Sequence, residues 1–224
     1  MSLNFVSQSA FIMEKENDQL AALNDIRRMM KESSRFLSLS GLSGILAGVY
    51  ALAGAFAGHT LLRNYYGGAS AERYDGADHR SLLTSLAFIA LAVLVLSLAT
   101  AFVLSGRKAR KTGHKLFDYA SRNLMWSMAV PLMAGGIVCL SLLLRGGDFV
   151  LLVCPVLLIF YGLALFAGSR LTLPDVRYLG YFQIALGLVA CFYPGHGLIF
   201  WSLGFGVLHI IYGSIMWYKY ERSI

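Results

Sequence analysis

Six apolar stretches, each close to the length of a helix that crosses a bilayer, follow one another along the chain without an internal Asp, Glu, Lys or Arg. They are Leu37–Leu62, Leu82–Ser105, Asn123–Leu144, Phe149–Ser169, Leu179–Tyr193 and Leu198–Tyr218. A hydrocarbon core about 30 Å thick is crossed by roughly 20 helical residues. The pattern therefore predicts an all-α integral membrane protein with six transmembrane helices in three hairpins. The fifth stretch is short, which places Pro194 near the membrane surface.

The composition leaves little room for a separate soluble domain. The chain has 224 residues, of which 57% are hydrophobic and only 14% are charged. We expect a cytoplasmic N-terminal extension at 1–36, a six-helix transmembrane domain at 37–218 and a cytoplasmic tail at 219–224. Within the extension, Glu14–Phe36 has apolar residues at helical spacing, which predicts an amphipathic helix. It would lie on the lipid surface or, alternatively, pair with another copy as a short coiled coil.

The start of the chain shows no secretory signal, because the first apolar run begins late and is too long for a cleaved segment. The first twelve residues differ from the acidic, helix-forming run that follows them. Met13 is therefore a candidate start of translation, alongside Met1.

The distribution of positive charge predicts the orientation. With six spans, fifteen Lys and Arg residues fall on the side of the two termini, and the other side holds only Arg63, Arg73, Arg80 and Arg145. Because cytoplasmic loops retain Lys and Arg, both termini should be cytoplasmic in a multi-pass protein of the cell inner membrane. The basic loop Gly106–Arg122 carries much of this charge, and we expect its Arg107–Lys115 part to contact anionic lipid headgroups. The net charge of +7 thus reflects topology, and nucleic-acid binding is not expected.

Small residues recur at helical spacing in the first and sixth spans. Without a hydrophobic drive between helices in lipid, close backbone approach at small residues supplies the packing. The glycines expected to pack helices are Gly44, Gly48, Gly136, Gly187, Gly206 and Gly213. The alternatives are that the glycines leave room for a solute or a hinge, or that they join copies of the chain in a homo-oligomer.

The last four spans contain an internal repeat at a spacing of 51 residues. Gly136 recurs as Gly187, and Tyr161-Gly162 recurs as Tyr212-Gly213. Tight turns at Arg145–Asp148 and Pro194–Gly197 close the two hairpins. The match predicts a duplicated hairpin in the same orientation, with an axis near the membrane normal.

The hairpin Leu179–Tyr220 has a glycine seven residues before Pro194, a tight turn and Tyr-Gly near its end. In these features it resembles the HdeD-like acid-resistance membrane proteins, a family of small six-helix bacterial inner-membrane proteins. The likeness covers the last two hairpins, and Pro155, expected in the middle of the fourth span, departs from it. The N-terminal part is more similar to uncharacterised bacterial membrane proteins. The resemblance implies a non-catalytic, stress-related or scaffolding role and supplies no catalytic residues.

His209 is the one ionisable side chain other than Tyr near the middle of a predicted span. Such groups usually face the interior of the bundle and often mark function. Tyr212, Tyr161 and Gln183 are the candidate partners that complete an intramembrane polar site. Two interpretations stay open: a neutral imidazole that bonds across helices, or a proton-sensitive or solute-contacting site in a transporter or channel.

Signatures of catalysis and of cofactor binding are missing from the sequence. It has no phosphate-binding Gly-Lys loop, no HExxH and no Gly-x-Ser-x-Gly elbow, so we expect no enzyme. Haem ligation would need a second histidine at the depth of His209, and neither His59 nor His196 lies there. The acids and His79 of the external loop Arg63–Ser81 match no established metal spacing, so we expect a solvated loop, no metal and no cofactor.

Overall fold

The computed structural model describes Leu23 and residues 40–67, 76–111 and 119–222. Over these residues the chain is all-helical, without strands. Six helices follow in chain order: α1 (Gly41–Gly67), α2 (Gly76–Lys111), α3 (Tyr119–Arg145), α4 (Gly147–Gly168), α5 (Val176–Cys191) and α6 (Gly197–Tyr220). Five of them are long and apolar enough to cross a membrane, and α5 is a shorter apolar helix of 16 residues. The prediction of an all-helical protein with several membrane-spanning helices is confirmed.

Several helices extend beyond the apolar stretches. α1 continues past Arg63 to Gly67, and α2 runs from Gly76 to Lys111, so Arg63–Ser81 and Gly106–Arg122 are not wholly loops as predicted. Lys and Arg are good helix formers whose long stems let their charges reach the membrane surface, so a helix can outrun its apolar segment. Apart from Leu23, the predicted N-terminal helix lies outside the described residues, as do the loop centres at 68–75 and 112–118.

The two prolines within predicted spans differ in position. Pro131 lies inside α3, and the helix continues beyond it. Pro155, in contrast, does not lie in the middle of a helix. α4 opens with a 3₁₀ segment, Gly147–Leu152, and Pro155 is the third residue of the regular α-helical part that starts at Val153. At this change of helix type, the N–H that proline lacks interrupts a regular α-helical ladder less than it would in a helix interior.

The packing order of the helices differs from a row of three hairpins. α1 packs against α2 on one side and α6 on the other, and α4 packs against α3 and α5. The predicted third hairpin is looser, because α5 packs mainly on α4 and α6 mainly on α1. α2 and α3 lie at the two flanks with large apolar side chains exposed, such as Phe88 and Trp126, as the surface of a protein in lipid requires.

Two close crossings of helix backbones hold the centre together. At the crossing of α1 and α6, a Cβ atom added to Gly213 would lie 2.5 Å from the backbone nitrogen of Ile45. At the crossing of α4 and α5, a Cβ atom added to Gly162 would lie 2.8 Å from the carbonyl oxygen of Gly180. Neither position can hold a larger residue without moving a helix. The first crossing positions α6 against α1, and the second positions α4 against α5. A buried region lies where α4, α5 and α6 meet.

Candidate functional site

A buried polar cluster lies where α4, α5 and α6 meet. We call it the His209 network; it consists of Tyr161, Gln183, the carbonyl group of Gly204, and His209. The hydroxyl of Tyr161 lies 2.8 Å from Nε2 of His209, and Nδ1 of His209 lies 3.0 Å from the carbonyl oxygen of Gly204. Nε2 of Gln183 donates to the same carbonyl oxygen over 2.8 Å. Three helices are thus joined through one carbonyl group and one imidazole.

The local backbone of α6 makes this arrangement available. Ser202–Leu208 is a π-helical segment directly before His209, with a wider turn than the α-helix on either side. Within it, the carbonyl of Gly204 accepts the two side-chain hydrogen bonds. Gly204 is also closely packed: an added Cβ would lie 2.4 Å from Cδ2 of Leu158 and 2.7 Å from Oε1 of Gln183, so both side chains would have to shift.

The hydrogen bonds assign the tautomer of His209. A carbonyl oxygen only accepts, so Nδ1 facing Gly204 carries the proton. Nε2 of the neutral imidazole is then an acceptor, and the Tyr161 hydroxyl donates to it. Both ring nitrogens of a neutral His209 are therefore satisfied by the protein.

One atom of the network has no partner. Gln183 is fully buried, and its Oε1 forms no hydrogen bond with any described residue. An amide oxygen in this position retains its capacity to accept a donor. Among the described residues, Oε1 is therefore the one side-chain N or O atom of the network without a hydrogen bond.

Aromatic rings surround the imidazole. The ring centroids of Tyr161 and Phe205 are 5.1 Å apart, and those of Trp201 and Phe205 are 4.7 Å apart. Tyr161 and His209 are themselves 5.4 Å apart at their centroids. The network thus lies in an apolar surrounding, where a hydrogen-bonded neutral imidazole is favoured over a charged one.

Tyr212, the fourth predicted member, does not join the network. Its hydroxyl donates to the backbone carbonyl of Asp175, in the connection between α4 and α5. The carboxylate of Asp175 accepts hydrogen bonds from Lys219 over 2.8 Å and from Tyr220 over 2.7 Å. Burial alone would raise the pKa of Asp175, but the bonds from Lys219 and Tyr220 outweigh it and hold that pKa below its ordinary value.

A second carboxylate at the same end was not singled out from the sequence. Glu221 accepts a hydrogen bond of 2.7 Å from the backbone N–H of Gly41, at the start of α1, and pairs with Lys108 of α2 over 3.1 Å. Glu221 therefore caps α1 and binds α2, and it directly follows the end of α6. The one sequence feature that could have pointed to Glu221 is that it is the single acidic side chain in a basic tail.

The predicted packing glycines fall in two groups. Five lie at helix contacts within 4 Å of a neighbouring helix once a Cβ is added: Gly44, Gly48, Gly187, Gly206 and Gly213. Gly136, in contrast, is exposed and faces open space, and the packed position is Gly135, whose Cβ would lie 2.4 Å from that of Phe160. A shift of one residue turns a helical position by about 100°. Within the single chain, the packed glycine of α3 is therefore Gly135, and Gly136 faces outward.

The thiols and the potential metal ligands form no further site in the described parts of the chain. Cys154 donates to the carbonyl of Gly197 over 2.9 Å, and Cys139 lies 3.8 Å from the carbonyl of Val153. Within 40–67, 76–111 and 119–222, no three His, Cys, Asp or Glu side chains are grouped so that they could hold a metal ion.

Comparison with models of protein families, with curated proteins and with solved structures finds no match.

Proposed function

We propose that this chain is a non-catalytic integral membrane protein of the bacterial inner-membrane type, with a scaffolding or stress-related role. The observation that carries the proposal is the bonding of His209, whose two ring nitrogens both have partners inside the protein. A polar group in the membrane must find its hydrogen bonds within the protein, and here it does. The imidazole stabilises the contact between helices through its hydrogen bonds.

The glycine crossings support the same role. They bring α1 onto α6 and α4 onto α5 at backbone distance, which leaves no space for a solute at those contacts. The resemblance of Leu179–Tyr220 to the HdeD-like proteins favours a stress-related task. We also propose cytoplasmic termini, anionic headgroups at Arg107–Lys115 and a homo-oligomer joined through exposed small residues.

A flux assay in proteoliposomes tests the absence of transport. Purified protein is reconstituted, and the movement of protons, a panel of ions and weak acids is followed with internal dyes against protein-free vesicles. We expect rates equal to those of the protein-free vesicles. Flux that disappears in His209→Phe, while the variant reconstitutes normally, would contradict the proposal.

A second function, translocation of a proton or small solute past His209, has one specific observation in its favour. Oε1 of Gln183 is a buried acceptor without a described partner, beside a π-helical segment of α6. A π-helical turn is often found at functional sites. In this case, Gln183→Leu and His209→Phe should both abolish a flux that the wild type shows.

A further inference from the structure

A groove opens on the surface of α6 near its C-terminal end, beside α1. Its volume is about 900 Å³, and it is lined by Ile45, Ser214, Ile215, Trp217, Tyr218 and Lys219. Most of this lining is apolar, and the hydroxyl of Ser214 is already bonded to the carbonyl of Ile210 in its own helix. The wall of the groove therefore suits a hydrocarbon chain.

Positive charge lies at one end of the groove. The guanidinium of Arg222 sits 5.1 Å above the ring of Tyr218, and the ammonium of Lys219 sits 5.1 Å from the ring of Tyr220. Arg222 forms no ion pair with any residue of the described chain. Lys219 is half-exposed. Its ammonium contacts Asp175 and still has further N–H donors for another partner.

The acids near this end do not cancel the charge. Among the described side chains of this end, Asp175 is paired with Lys219 and Glu221 with Lys108, so Arg222 adds a positive charge that neither acid neutralises. Trp217 and Tyr218 lie beside it, and such aromatic rings are enriched at the level of lipid headgroups. A cationic end, an aromatic border and an apolar wall match the parts of a phospholipid in order.

We infer that this groove binds one phospholipid with an anionic headgroup. Its phosphate contacts Lys219 and Arg222, and an acyl chain lies along Ile45 and Ile215. The occupant is a membrane lipid because the groove is open on the outer surface of a spanning helix, and because a free anion would leave the apolar wall bare. This site is separate from the His209 network and does not depend on its role.

Tryptophan quenching by brominated lipid tests the inference, because Trp217 lines the groove. The chain has three tryptophans, so Trp126→Phe with Trp201→Phe leaves Trp217 as the reporter. Trp201→Phe with Trp217→Phe leaves Trp126, exposed on the flank of α3, as the matched control. Each protein is reconstituted in vesicles of phosphatidylcholine and phosphatidylglycerol, with one or the other lipid brominated.

We expect Trp217 to prefer phosphatidylglycerol over phosphatidylcholine about fivefold or more, the effect of one or two cations at a membrane surface. Trp126 lies about one helical turn beyond Arg122, near the basic segment where we propose general contact with anionic headgroups, so its ratio should lie clearly below that of Trp217. Lys219→Gln combined with Arg222→Gln should bring the Trp217 ratio down to that of the control. Asp175→Asn breaks the same ion pair but keeps both cations, so it should retain the preference.

Three outcomes would overturn the inference. The first is a Trp217 ratio no higher than that of Trp126, which is the behaviour of ordinary surrounding lipid. The second is a preference that survives the loss of both cations. The third is loss of the preference in Asp175→Asn, which would mean that it follows from the fold of this end and not from Lys219 and Arg222.

Discussion

Gln183 and His209 donate hydrogen bonds to the same atom, the carbonyl oxygen of Gly204, although they belong to different helices. The shared acceptor lies in the π-helical segment of α6, and Tyr161 of α4 completes the contact from the other side of the imidazole. Each member of the network thus orients another. This coupling leads to the first prediction.

Removal of the Tyr161 hydroxyl should destabilise the protein, because Nε2 of His209 then loses its donor inside the membrane. We expect Tyr161→Phe to lower the free energy of unfolding by about 1 kcal/mol, the usual range for a hydrogen bond between membrane helices. A double-mutant cycle with His209→Phe should give a coupling of similar size. Unfolding in mixed micelles measures it, and Tyr178→Phe, at an exposed tyrosine of α5, is the control. Additive effects of the two substitutions would rule out the bond.

Gly213→Ala should separate α1 from α6. The added methyl group would lie 2.5 Å from the nitrogen of Ile45 and 2.7 Å from the oxygen of Gly41, and these are backbone atoms that cannot rotate away. We expect a loss of about 1–3 kcal/mol, as for other overpacked positions. Gly136→Ala, which adds the same methyl group in open space, should not lower the free energy of unfolding, since alanine is the better helix former. Equal effects at the two sites would contradict the described crossing.

Glu221 should act mainly as a cap of α1. Glu221→Ala removes the acceptor of the Gly41 N–H, and we expect a cost of about 1 kcal/mol. Glu221→Gln keeps an acceptor and loses only the ion pair with Lys108, so its cost should be about half or less. Hydrogen exchange at the first turn of α1 measures both variants. An effect of Gln as large as that of Ala would show that the charge, and not the cap, dominates.

The contact of Asp175 with Lys219 should depend on pH only in acid. The pKa of Asp175 is lowered in the folded protein, so its contribution is fully present above the ordinary value of 3.8 and is lost as pH falls through the lowered value. We expect the difference in thermal midpoint between wild type and Asp175→Asn to be constant from pH 5 to 7, on the order of one or two degrees, and to vanish well below pH 4. A difference that disappears near pH 6 would contradict the assignment to this carboxylate.

The sequence was sufficient for the elements that depend on length and polarity. An apolar run predicts a spanning helix because the bilayer sets its length, and five of the six predicted runs lie in helices long and apolar enough to cross a membrane. The depth of His209 along its span also pointed to Tyr161 and Gln183. Tyr212 is three residues beyond His209, yet its hydroxyl reaches toward the α4–α5 connection instead.

Other features depend on contacts between distant parts of the chain. The π-helical turn at Gly204 is stabilised by Gln183 from another helix, so no local pattern in α6 predicts it. Gly135 and Gly136 are neighbours of the same type, and only the position of Phe160 decides which one is packed. The Lys and Arg residues that follow the second apolar stretch predict a loop, whereas α2 continues through the first of them to Lys111.

The central proposal is that the chain crosses the membrane an even number of times with its cations on the cytoplasmic side. Cysteine labelling in intact cells tests it most directly, in a protein whose Cys139, Cys154 and Cys191 are replaced by alanine. A membrane-impermeant maleimide should label His196→Cys, in the turn before α6, and should label Arg222→Cys only after the cells are permeabilised. Labelling of Arg222→Cys in intact cells, with His196→Cys protected, would reverse the orientation, and equal labelling of both would contradict the final crossing.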